Sequence, residues 1–139
     1  MTMQLLILAC SGAVGCAARV ATRDWLLRRR VAPWWSILVV NLLGAAAMGA
    51  AAGAALRVTA AAAQDAAADP AFPRSLIQVA MGFLGGWTTY SAFAMDVLSL
   101  WLRGRRRGAV VLWAATIGGS PLLALAAMRL ASAGIGGAP

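Results

Sequence analysis

The sequence predicts an all-α integral membrane protein of four transmembrane helices per chain, with the third helix broken. Three observations predict it. Of the 139 residues, 62% belong to the hydrophobic set, and 34 alanines and 15 glycines leave much of the chain with almost no side chain. Only 16 residues are charged, 12 arginines and 4 aspartates, which is roughly half the charged fraction of a soluble domain. Those charges gather in short clusters between long apolar stretches, as membrane proteins arrange them. A disordered chain would instead be polar.

The first stretch, residues 3–21, has no basic residue ahead of it and continues into further spans, so it reads as a retained helix and not as a signal peptide. A basic connector with Arg23, Asp24, Arg28, Arg29 and Arg30 follows. The second span, 34–56, opens with Pro33, which suits a helix start, and with Trp34 and Trp35, which suit the interfacial belt. The connector 57–74 holds an alanine run with Asp65, Asp69, Pro70 and Pro73, and is expected outside the bilayer. The third span, 75–102, is too long for one simple crossing, and its segment GFLGGWTTYS (82–91) looks like a helix break. At membrane depth such a break is tolerated only where it is buried in protein or lines a watery cavity. The arginine-rich turn 103–108 leads to the fourth span, 109–131. Four crossings of about 20 residues make the chain a single membrane domain, 1–139, with no room for a soluble one.

Composition also excludes chemistries. There is no histidine, lysine or glutamate, so four aspartates are the conventional acid–base groups and catalysis is not expected. Cys10 and Cys16 are spaced poorly for a shared ligand site and are expected to be buried and inert. The net charge of +8 reflects connector arginines and membrane topology, so no nucleic-acid partner is expected. Gly49 with Gly53, and Gly82 with Gly86, form GxxxG pairs that permit close helix contact and often mark oligomer interfaces.

Polar groups inside spans are expensive and are functional candidates by default. They are Asn41 in the second span; Thr88, Thr89, Tyr90, Ser91 and Asp96 in the third; Thr116 and Ser120 in the fourth; and Arg19 at the end of the first. Each has a plainer role. Asn41 fits amide glue between helices as well as a pathway donor, Thr116 and Ser120 fit bonds to their own helix carbonyls, and Arg19 fits a snorkelling end residue. Tyr90 and Phe93, three apart on one helical face, fit packing. As a set, donors and aromatics with almost no fixed negative charge suit an anion better than a cation.

Three ordered segments carry a family resemblance. GFLGGWTTYSAFAMD resembles the third-helix signature of the Fluc (CrcB) fluoride channels, SGAVGCAARV resembles their first-helix motif, and PWWSILVVNLLGAAAMG their second. The resemblance implies an antiparallel, dual-topology homodimer with two narrow pores. Through these, fluoride would leave the cell passively across the inner (plasma) membrane. It places Asn41, Tyr90, Phe93, Ser91, Thr116, Ser120, Arg19 and Asp96 along the fluoride pathway. It also implies a structural sodium ion at the dimer centre, held by main-chain carbonyls of Gly85 and Thr88. The chain departs from the family pattern at Tyr90, usually phenylalanine, at Asp96, usually glutamate, and at Trp35 and Ser36. Pro121 is expected to bend the fourth span.

Two rivals remain. A small multidrug-type transporter, also a dual-topology dimer of four-helix chains, requires a membrane glutamate in its first helix, and this chain has none. A non-transporting assembly subunit would leave the ordered polar set without a role. The partners expected are therefore fluoride, the lipid bilayer and a second copy of the chain. A paralogous subunit is the alternative, because the first and third connectors hold eight arginines against three at the other end.

Overall fold

Apolar runs rich in alanine and leucine, both strong helix formers, fold as helices almost end to end. The computed structural model describes residues 2–64 and 71–133. It contains α1 (Thr2–Arg28), α2 (Pro33–Gln64), α3 (Ala71–Trp87), α4 (Tyr90–Leu102) and α5 (Arg106–Ala133), with no strand among the described residues. Helices α1, α2 and α5 are each long and apolar enough to cross a membrane. α3 and α4 have 17 and 13 residues, so at 1.5 Å per residue they reach only about 26 and 20 Å. The chain between them is two residues, Thr88 and Thr89.

Several helices outrun the expected apolar stretches. α1 continues through Arg23 and Asp24 to Arg28, where Arg28 pairs with Asp24 at 3.0 Å, one turn away. α2 continues through Arg57 and the alanine run to Gln64, since alanine favours helix whether or not it lies in the bilayer. Asp65, Asp69 and Pro70 of the expected connector lie outside the described residues. Both short turns at the arginine-rich end close with the same bond pattern. The N–H of Val31 donates to Leu26 O and that of Arg30 to Leu27 O; Arg105 donates to Leu100 O and Gly104 to Trp101 O. This Schellman pattern needs a left-handed residue. Gly104 (φ 74°) supplies it without steric cost, whereas Arg30 (φ 60°) adopts it against its own Cβ.

The buried core lies among α2, α4 and α5, built from Ile37, Leu38, Phe93, Leu100, Ala109 and Leu112. Both glycine pairs expected at oligomer interfaces are used within the chain. A Cβ on Gly86 would run into the main chain of Gly12, and one on Gly15 into that of Phe83, so α1 and α3 touch backbone to backbone. Gly49 and Gly53 do the same for α2 against Ala124 and Met128 of α5. The outer surface is strongly apolar, with Leu5, Val14, Leu122 and Leu130 each more than half exposed, as expected for a surface facing lipid or a partner. Cys10 and Cys16 are exposed on this surface, contrary to the buried positions expected, because Gly15 is the one buried residue that α1 contributes.

Candidate functional site

The site forms where α3 stops. The N–H of Thr88 still donates to Leu84 O at 2.9 Å, and its hydroxyl donates to the same oxygen at 2.9 Å, ending the helical ladder. Thr89 then turns extended (φ −155°, ψ 129°) and becomes the N-cap of α4. Asn41 of α2 bridges this interruption. Its Oδ1 accepts the Thr89 N–H at 3.2 Å and its Nδ2 donates to Thr89 O at 3.4 Å, so the side-chain amide replaces a missing backbone partner. Asn41 is thus both the helix glue and a donor beside the break, since Nδ2 carries a second hydrogen. Gly44, one turn along α2, leaves the space that the Thr88 methyl fills.

Diverting the Thr89 N–H to Asn41 has a consequence for the carbonyls. Gly85 O loses the donor that a continuous helix would provide four residues on. Thr88 O precedes the N-cap and lies outside both ladders. These two oxygens, at the positions expected to hold sodium, are therefore hard main-chain donors without helical partners. Gly85 is exposed, and nothing lies within 4 Å of a Cβ built on it.

An open groove of about 490 Å³ runs along this break. Asn41, Gly85, Thr88, Tyr90, Phe93 and Ser120 line it, with Thr89 and Pro121, and none of the lining residues is charged. The Phe93 ring is buried at its base, and the Tyr90 ring, 73% exposed, lies against it with centroids 5.6 Å apart and a 55° tilt. The N-terminus of α4 opens beside the groove without a side-chain cap, so its first N–H groups and the positive end of its dipole are available to an anion.

Six of the ten expected residues are therefore brought together, and four are not. Ser91 is exposed next to the groove, with its hydroxyl 3.1 Å from that of Thr89. Thr116 lies one turn before Ser120 on α5, and the hydroxyl oxygens of both are buried without a hydrogen-bond partner. The expected bonds to their own helix carbonyls are absent, although Ser11, Thr22 and Thr59 all make such bonds. Asp96 faces away from the groove into a separate cavity, where Arg23 approaches it at 3.9 Å. Arg19 does not line the groove, and its buried Nε has no partner. Thr89, a polar candidate of the third span to which the resemblance gives no pathway role, matters through its backbone. Its side chain gives no signal, because its backbone N–H and C=O do the bonding.

A helical chain with an apolar exterior, and with an uncharged, donor-lined groove at a helix interruption, defines a small multi-pass membrane protein suited to moving a small polar solute or ion. Residues 6–131 match the family model described as CrcB-like protein, Camphor Resistance (CrcB). The chain belongs to the CrcB family and, with it, to the multi-pass proteins of the plasma membrane. It is 30% identical over 129 residues to a protein of Rhizobium johnstonii named fluoride-specific ion channel FluC, covering 92% of this chain and 95% of that one. A protein of the same name from Chelativorans sp. is 33% identical over 128 residues, covering 91% and 94%. One from Geobacter sulfurreducens is 36% identical over 99 residues, covering 69% and 70%.

Proposed function

We propose that this chain is a fluoride-selective channel, which exports fluoride passively through two pores of an antiparallel dimer built around a structural sodium ion. The observation that carries the reading is the groove, where an amide, hydroxyls, aromatic rings and an uncapped helix N-terminus meet without a carboxylate. The names of the relatives supply the ion.

Fluoride is small and strongly hydrated, so a pathway must replace its water with donors at close range. The free hydrogen of Asn41 Nδ2, the unpartnered Ser120 and Thr116 hydroxyls and the first N–H groups of α4 are such donors. The edges of Phe93 and Tyr90 add weaker positive potential. No carboxylate, amine or imidazole lines the groove, so export follows the fluoride gradient without proton exchange. In this reading α3 and α4 form one interrupted third crossing. A second copy would close the open side of the groove, and the Gly85 and Thr88 main-chain oxygens of both chains would hold the sodium ion. The ion supplies a fixed positive charge there. Asp96 and Arg19 act outside the groove, at the approaches.

Fluoride efflux from liposomes separates the pathway from mere packing. Phe93→Ile keeps bulk and removes the ring edge, so efflux should fall at least about tenfold, the rate equivalent of one 1.4 kcal/mol loss. Tyr90→Phe should remain active. Normal efflux in Phe93→Ile would mean that this ring only packs.

Dual insertion is tested separately. With Cys10 and Cys16 replaced by serine, a single cysteine at exposed Thr59 should be labelled from outside intact cells in about half the molecules. Labelling of all or none would replace the homodimer by pairing with a paralogous subunit of opposite charge bias.

A further inference from the structure

The arginine-rich end carries a cavity of which the fluoride reading uses only Asp96. It has a volume of about 270 Å³, and its lining includes Arg23 of α1, Trp34 of α2, Asp96 and Ser99 of α4, and Arg103 and Arg105 of the following turn. Ser99 and Arg103 also line a second hollow of about 290 Å³, whose other walls are Met95, Leu98 and Leu102. A cationic cavity thus continues directly into an apolar groove. We propose that this pair of hollows holds one anionic phospholipid, with its phosphate among Arg23, Arg103 and Arg105 and an acyl chain along Met95, Leu98 and Leu102.

The charge balance favours an anion. Asp96 is matched by Arg23 at 3.9 Å, while Arg103 and Arg105 take part in no ion pair among the described residues. Guanidinium groups present paired N–H donors that fit phosphate oxygens. The position also suits a headgroup. Trp25 and Trp101 are about half exposed at this end and hold Arg29 and Arg106 over their rings, as interfacial tryptophans do. From Leu102 back to Met95 the helix descends about 10 Å, within one leaflet's hydrocarbon depth of about 15 Å. Among the described residues a second copy offers no free acid, since Asp24 and Asp96 are each already beside an arginine.

The inference does not depend on which ion is transported. The test is native mass spectrometry of the full-length protein equilibrated in mixed micelles holding equal phosphatidylglycerol and phosphatidylcholine. The wild type should retain phosphatidylglycerol over phosphatidylcholine by on the order of tenfold. Arg103→Gln with Arg105→Gln, both at exposed turn positions, should bring the two lipids to parity. Leu98→Ser with Met95→Ser should weaken retention of phosphatidylglycerol, and inorganic phosphate should not displace it. Parity in the wild type, or an unchanged preference in the arginine variant, would overturn the proposal. So would displacement by inorganic phosphate, which would mark a free-anion site. Chain-to-chain crosslinking of Leu98→Cys would overturn it by showing that a second copy covers the groove.

Discussion

Asn41→Asp is expected to reduce fluoride efflux about a hundredfold while the protein still assembles. The amide holds Thr89 with one acceptor and one donor. An aspartate keeps the acceptor for the Thr89 N–H but turns an anion toward the Thr89 carbonyl and toward the incoming fluoride. Losing a donor in a dehydrated passage and adding like charge costs about 3 kcal/mol or more, which corresponds to about a hundredfold in rate. The check is efflux per reconstituted protein, with the elution volume of the purified variant showing that assembly is intact. Efflux near the wild-type rate would show that Asn41 only joins α2 to the break.

Gly86→Val is expected to have the largest effect on folding. Its Cβ would meet the Gly12 carbonyl and lie within contact of the Cys16 N–H, both main-chain groups that no side-chain rotation can move. Overpacking of this kind typically costs about 1–3 kcal/mol, and branching at valine adds to it because α1 and α3 must separate along their whole contact. Gly118→Ala is the control, since nothing lies within 4 Å of its Cβ. Thermal unfolding in detergent should show Gly86→Val several degrees lower or absent as folded protein, with Gly118→Ala unchanged. Equal stability would mean that α1 and α3 do not pack through these glycines.

The helices were legible because uninterrupted apolar runs leave a chain in lipid few alternatives. Their ends were less so, since arginines and alanines past the apolar runs remain helical in α1 and α2. The junction of α3 and α4 falls inside the expected segment 82–91, but its cause is not legible there. Gly82, Gly85 and Gly86 looked like breakers, yet all three are helical, and two of them serve contact with α1. The helix stops at Thr88 and Thr89 because Asn41 offers Thr89 another partner, a tertiary bond over 48 positions that local propensity cannot reveal. Asp96 lies off the groove for a similar reason. Its three-residue offset from Phe93 puts it on nearly the same stripe of α4, but Arg23 and the arginine turn draw it toward the other cavity. For Thr116 and Ser120, which the resemblance places on the pathway, only the fold shows that their hydroxyls are shut away unpaired.

The uncharged, donor-lined groove is expected to pass fluoride selectively and passively. Purified protein in liposomes loaded with equal fluoride and chloride, with no proton gradient, tests this directly when both ions are followed by selective electrodes. Rapid release of fluoride with chloride retained is the predicted result. Release of chloride at a comparable rate, or fluoride release only when a proton gradient is imposed, would contradict it.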